Sequence, residues 1–144
     1  MILPDVNILV HAYNSDSPVH GPAKAWWEET LSAAAPVGLT WPAALGFIRI
    51  TTHTRVLENP LPPSIACAHV EAWLGQPQVS FVHPGERHAT ILFDLLRRLG
   101  TAGNLTTDAH LAALAMEHQA EVCTTDVDFA RFPGLRWRNP LEER

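Results

Sequence analysis

Short apolar runs alternate along this chain with longer segments of mixed polarity, and turn-forming residues separate them. Ile2 to Val6 reads as a short buried strand, and Asn7-Ile8-Leu9-Val10-His11-Ala12 begins a helix after it. Asn14-Ser15-Asp16-Ser17-Pro18 breaks that helix, and Pro22 to Ala34, with proline near its first turn, forms the next. Pro36 to Leu39 is a second strand. From Trp41 to Thr52 the apolar positions Ala44, Leu45, Phe47, Ile48 and Ile50 predict a largely buried helix. The stiff segment Asn59-Pro60-Leu61-Pro62-Pro63 follows, with Ser64 capping a helix to Leu74. Val79 to Val82 is a third strand and Gly85 to Leu99 an amphipathic helix. A loop over Gly100 to Asn104 leads to a helix opened by Asp108 and ending near His118. Val122 to Thr124 is a fourth strand, and Leu135 to Arg138 a short fifth.

Short strands alternating with helices predict the α/β class. The expected architecture is a three-layer α/β/α sandwich with a central, mainly parallel sheet of four to five strands. No internal repeat, low-complexity tract or long linker divides the chain, so residues 1–144 are expected to form one domain.

Composition changes this picture little. Of 144 residues, 47% are hydrophobic and 17% charged, which suits a globular domain with a substantial core. The formal charge of −5 leaves no general basic surface to advertise nucleic acid. Arg97-Arg98, Arg131, Arg136 and Arg138 are nevertheless clustered enough for local phosphate contacts. Cys67 and Cys123 lack CxxC or Cys/His spacing, which argues against zinc and for buried thiols in a reducing compartment. No apolar run reaches the ~20 residues of a spanning helix, and the first residues enter a strand with no room for a signal peptide. A cytoplasmic protein with no membrane partner is expected.

The candidate chemistry lies where apolar runs stop. Asp5 ends the first strand, Asp108 opens a helix, and Asp126 and Asp128 follow the fourth strand. In an open parallel sheet such positions converge on one crevice beyond the carboxyl ends of the strands. Carboxylates gathered there repel, and one holds its proton unless a cation joins them. Hard oxygen donors suit Mg²⁺ or Mn²⁺. Helix capping accounts for Asp108 or Asp126 taken singly. Asp5 has no capping run behind it and is the most telling of the four. A phosphoacceptor signalling domain also gathers aspartates at strand ends, but it wants a late lysine, and the only lysine here is Lys24.

At these residues the chain resembles the PIN-domain ribonucleases. Asp5-Val6-Asn7-Ile8-Leu9 is similar to the family's opening motif, and Asn104 to Ala113 to its third acidic motif. Thr124-Thr125-Asp126-Val127-Asp128-Phe129-Ala130-Arg131-Phe132 is similar to its closing motif. Three motifs in order, on a chain of this size, resemble most closely the VapC toxins of bacterial toxin–antitoxin pairs. The resemblance implies a Mg²⁺-dependent endoribonuclease, with Mn²⁺ as an alternative, that cuts structured RNA in a single-stranded stretch. It implies Asp5, Asp108 and Asp126 as metal ligands, with Asp128 holding metal-bound waters in support. It also implies a homodimer silenced by a VapB-like antitoxin, which drapes across a groove and blocks the acidic site. Tyr13, Trp26 and Trp27, on the first two helices, are candidates for that groove. Asn7, Thr106 and Thr125 adjoin proposed ligands and are candidate orienting groups, with capping or turn hydrogen bonds as the alternative. His11, His53 and His110 are possible proton carriers, against a surface or core role.

One departure stands out. The family places a glutamate before a Phe/Leu-x-Arg sequence, whereas Ala44-Leu45-Gly46-Phe47-Ile48-Arg49 puts Gly46 there. Close packing, or an approaching substrate or partner backbone, would each account for a glycine. Arg49 is a candidate phosphate contact, or the partner of a nearby carboxylate. The missing acid points to a site nearer one-metal chemistry, and it also fits an attenuated relative that acts mainly by binding antitoxin or RNA. On this reading Gly46→Glu tightens Mn²⁺ binding in a calorimetric titration, and equal affinities would sink the idea.

Overall fold

The computed structural model describes residues 1–142, so the last two residues of the predicted 1–144 domain lie outside it. The chain runs β1 (Ile2–Pro4), α1 (Val6–Tyr13), α2 (His20–Ser32), β2 (Val37–Leu39), α3 (Trp41–Thr51) and α4 (Pro63–Leu74). It continues with β3 (Val79–Phe81), α5 (His88–Leu99), α6 (Thr106–Glu117), β4 (Glu121–Cys123) and β5 (Trp137–Arg138). Short 3₁₀ turns occupy Gly103–Leu105 and Val127–Arg131. The strands form one sheet in the order β3-β2-β1-β4-β5, and every pairing is parallel.

That order fixes where a site can form. β1 sits at the centre, with Leu3 opposite Val122 and Pro4 opposite Cys123. From β1 the chain winds outward to β2 and β3, then returns to lay β4 against the other side of β1. The crossovers therefore diverge between β1 and β4 and leave a crevice at their carboxyl ends.

Two cores cover the two faces. On one side Leu9, Trp27, Val37, Leu39, Phe47, Val70 and Trp73 pack α1 to α4 against the sheet. On the other, Leu3, Leu95, Val122 and Phe129 join the alanine-rich run of α6, with α5 outside it. The small side chains of Ala109, Ala112, Ala113 and Ala115 are fully buried, so α6 lies close over the strands. The three-layer α/β/α architecture and the parallel sheet agree with the sequence reading.

Several boundaries differ. Val6 belongs to α1 and not to β1, because Asp5 is in extended conformation and its carboxylate accepts from the Val6 N–H at 2.7 Å. The apolar run Ile2 to Val6 concealed that change of period. α4 begins at Pro63, so Ser64 lies in its first turn and does not cap it. α6 begins at Thr106, which puts Asp108 inside the first turn rather than at the cap. Cys123 is buried as expected, whereas Cys67 is exposed on the outer face of α4.

Gly46 marks a close crossing of α3 with the start of α1 near the crevice. A Cβ built there would stand 2.7 Å from Val6 Cγ2, closer than side chains pack. The corner left by the missing glutamate is therefore filled by Val6, and close packing accounts for the glycine. A glutamate at 46 has to displace Val6, which stands beside Asp5, before it can add an oxygen to the site.

Alanine at this position gains about 1 kcal/mol in helix propensity, but overpacking costs roughly 1–3 kcal/mol. Gly46→Ala is expected to lower the urea midpoint, and Val6→Ala to relieve the defect in the double mutant. An increased midpoint for Gly46→Ala alone would contradict this crossing.

Candidate active site

Asp5 is placed by the ladder. Its N–H donates to the Cys123 carbonyl of β4 at 2.9 Å, which ties the end of β1 to the neighbouring strand. The carboxylate, 8% exposed, accepts from the Val6 N–H through Oδ1 and from the Thr124 hydroxyl through Oδ2 at 2.9 Å. Burial pushes its pKa above the ordinary aspartate value, against those two hydrogen bonds, and the nearby Asp126 charge pushes the same way.

Thr124 is the hinge of the arrangement. It is fully buried, its hydroxyl donates to Asp5 with Asn7 Oδ1 a second acceptor at 3.3 Å, and it accepts from the Asp126 N–H at 3.0 Å. The sequence reading chose Thr125 for orientation, but the next residue back does it. The signal was available: Thr124 directly follows Cys123, the last residue of β4, and ends the strand read from the sequence. Asn7 does reach the site through this contact, whereas Thr106 donates to the Gly103 carbonyl and serves the turn before α6.

Asp108 faces the crevice from the first turn of α6. A cleft of about 50 Å³ between α1, α3 and α6 is lined by Asp5, Thr40, Pro42, Thr107 and Asp108, among others. Burial, then repulsion from Asp5, Asp126 and Asp128, raises Asp108 from 3.8 to about 6. Asp126 spends Oδ1 on the Asp128 N–H at 2.9 Å, capping the turn over Val127–Arg131, and Asp128 is exposed. The capping alternative is thus realised for Asp126 and also for Asp5, where the sequence had excluded it.

All four predicted aspartates converge electrostatically on one crevice. Among the described residues, no ion pair from a lysine or arginine reaches them. Nor do three His, Cys, Asp or Glu side chains there stand close enough to hold a metal unaided. The donor set fits a hard divalent cation in chemistry, with uncompensated carboxylates and free lone pairs, and it is an open set that leaves positions to water.

The histidines go elsewhere. His11 Nδ1 lies 2.7 Å from Ser17 Oγ, and His53 Nδ1 accepts from the Arg55 N–H. His110 turns away from Asp108 and pairs with the nearly buried His88, Nδ1 to Nε2 at 2.9 Å. His88 was not singled out from the sequence, since nothing in its surroundings marks it as buried. Arg49 is exposed on α3, and no carboxylate among the described residues pairs with it.

A larger cleft, about 390 Å³, opens between α1, α2, α3 and α4. Leu9, Tyr13, Trp27, Leu31, Phe47 and Trp73 form its apolar floor, with Lys24 and Glu28 at the rim. Trp27 is 5% exposed and its indole N–H is buried with no partner among the described residues, while Trp26 is only partly covered. The two indoles thus divide as their spacing on a helix requires.

Comparison with known proteins agrees with this geometry. The PIN domain family matches residues 2–135. The chain is 48% identical over 143 residues to Ribonuclease VapC33 of Mycobacterium tuberculosis, covering 99% of this chain and 100% of that protein. It is 43% identical over 140 residues to Ribonuclease VapC37 of the same organism, covering 97% of each. The structure of VapBC2 from Rickettsia felis bound to a promoter DNA fragment shares the fold, with a TM-score of 0.69 at 15% identity over 96% of this chain and 98% of that one. The chain belongs to the PIN-domain family, in its VapC-type branch.

Proposed function

We propose that this protein is a divalent-metal-dependent endoribonuclease, the toxin of a toxin–antitoxin pair, acting through the aspartates of the β1–β4 crevice. The observation that carries the reading is the convergence of four carboxylates at the switch point with no cationic side chain among the described residues to neutralise them. VapC relatives named as ribonucleases support the activity.

Asp5 and Asp108 would hold Mg²⁺ or Mn²⁺, with Asp126 completing the set and Asp128 holding bound water. The cation supplies Lewis acidity and a lowered pKa for a bound water near a phosphodiester. The chain's own part is orientation. Thr124 fixes one oxygen of Asp5 and one backbone N–H of Asp126, so the two strand ends move as a unit. The Val6 N–H fixes the other oxygen of Asp5 and leaves its second lone pair for a ligand. RNA is the proposed substrate and a VapB-like antitoxin the proposed partner, seated in the aromatic cleft of α1 to α4. A homodimer and a cytoplasmic location complete the reading. Gly46 favours the alternative, a relative that binds but barely cuts; absence of RNA cleavage at saturating Mn²⁺, with antitoxin binding intact, would establish it.

Asp5→Ala and Asp108→Asn are each expected to abolish growth arrest and to lower RNA cleavage by more than about 100-fold, beyond what an outer hydrogen-bond partner contributes. Thr124→Val should lower it by roughly 10- to 100-fold with circular dichroism unchanged. Retained toxicity in Asp5→Ala would count against metal catalysis.

A second test reads stability. Because the folded pKa of Asp108 is raised from 3.8 to about 6, the folded state binds more protons than the unfolded one between those values. Its contribution to stability is intact below pH 3.8 and lost as pH rises to about 6. Metal-free Asp108→Asn is therefore expected to melt above wild type at pH 7, with the gap closing toward pH 4. Mn²⁺ should raise the wild-type melting temperature and leave the mutant's nearly fixed. Equal melting curves for the two metal-free proteins at pH 7 would refute the charge crowding.

A further inference from the structure

Three aromatic rings are stacked at the carboxyl ends of β2 and β3, beside the acidic crevice. The indole of Trp41 lies almost flat on Phe81, with ring centroids 4.2 Å apart and planes 13° from parallel. His83 continues the stack on Phe81 at 6.2 Å and 30°. Elsewhere Phe47 and Trp27 meet neighbouring rings edge to face, Tyr13 on Phe47 at 87° and Trp27 on Trp73 at 88°, while Trp26 and Trp27 are tilted by 31°. Phe81 covers one face of the Trp41 indole, yet Trp41 remains 49% exposed. A large flat apolar face is thus held rigid and open to water at the first position of α3.

This face is continuous with the candidate active site. Trp41 stands between Thr40 and Pro42, and both line the cleft that holds Asp5 and Asp108. Thr40 is fully buried and caps α3 through the Ala43 N–H, so the helix start that carries the indole is anchored to the cleft wall. Along α3, Trp41, Leu45 and Arg49 recur every four residues, and all three are exposed. They make one stripe about 12 Å long that leads away from the cleft. The Arg49 guanidinium at its far end has no partner among the described residues.

A flat π face and an unpaired guanidinium on one stripe are the two groups that recognise single-stranded nucleic acid. Unpaired bases stack on aromatic rings, and arginine takes the phosphate between them. We propose that the open face of Trp41, backed by Phe81, is a stacking platform for one unpaired base of the RNA strand, with Arg49 on an adjoining phosphate. The proposal rests on the ribonuclease reading above and adds to it the residue that positions the strand. A base seated on Trp41 aims its neighbouring phosphate past Thr40 toward Asp5 and Asp108. The platform is indifferent to base identity, because every base has a π face.

The test uses a short single-stranded oligoribonucleotide of mixed sequence, with wild type, Trp41→Ala, Trp41→Phe and Arg49→Ala. Loss of one base stack in Trp41→Ala is expected to raise KM about 5- to 150-fold. kcat should hold nearly constant, since the contact is made equally before and during the reaction. Trp41→Phe should recover most of the loss. Arg49→Ala should reduce the slope of log affinity against log salt by about 0.7. Fluorescence anisotropy of the labelled strand with divalent metal chelated reads binding without cleavage. A wild type that binds with the same Trp41 dependence but never cuts supports the platform while removing the ribonuclease reading. Unchanged KM and unchanged binding in Trp41→Ala overturn the platform. A switch from dimer to monomer in Trp41→Ala, read by light scattering, also overturns it and assigns the stripe to a second copy of the chain.

Discussion

The parallel pairing of β1 with β4 is the constraint on which the candidate site depends. One ladder hydrogen bond, from the Asp5 N–H to the Cys123 carbonyl, brings the end of the first strand beside residues more than a hundred positions later. The Thr124 hydroxyl then reaches Asp5 across the two strand ends. Neither contact is available to any shorter segment of the chain. Crossovers that diverge on either side of this pair leave the crevice open, and α6 brings Asp108 to its wall.

Gathering carboxylates in this way opposes stability, and the fold carries that cost openly. Asp5 is nearly buried, and Asp108 is forced up by burial and by its three neighbours. No ion pair among the described residues relieves them. Surrounding packing holds the aspartates in place: the alanine-rich α6 lies close on the sheet, and Val6 fills the corner beneath Gly46. A site that is unfavourable alone and held by its frame is what a cation-binding function asks of a scaffold.

The exposed and concave apolar surfaces are distributed unevenly around this centre. The aromatic cleft of α1 to α4 has an apolar floor, and the Trp27 indole N–H is buried with no partner among the described residues. The stripe on α3 is exposed and ends in Arg49, which forms no ion pair among the described residues. The two surfaces share α3 but use different sides of it: Phe47 faces the cleft, and Trp41 and Leu45 face water. Steric access to the crevice and occupancy of the cleft are therefore separable properties of one helix.

The alternation of apolar runs was enough to read the α/β class, the element order, the strand ends that carry Asp5 and Asp126 and the helix start that carries Asp108, because strand and helix periods are local. Three ordered motifs were enough to recognise the family, since they record residue identity directly. Boundaries at Val6 and Thr106 escaped that reading, as an apolar run looks alike in a strand end and a first helical turn. So did Thr124 and His88, and close packing at Gly46 stayed one of several alternatives, because each depends on a neighbour distant in sequence: Asp5, His110 and Val6. Trp41 shows the same limit, because only the placement of β3 beside β2 lays Phe81 under its ring. The chain by itself determined which groups exist and in what order; the sheet's crossover pattern decided which of them meet, because contacts between distant segments are set by packing and not by local preference.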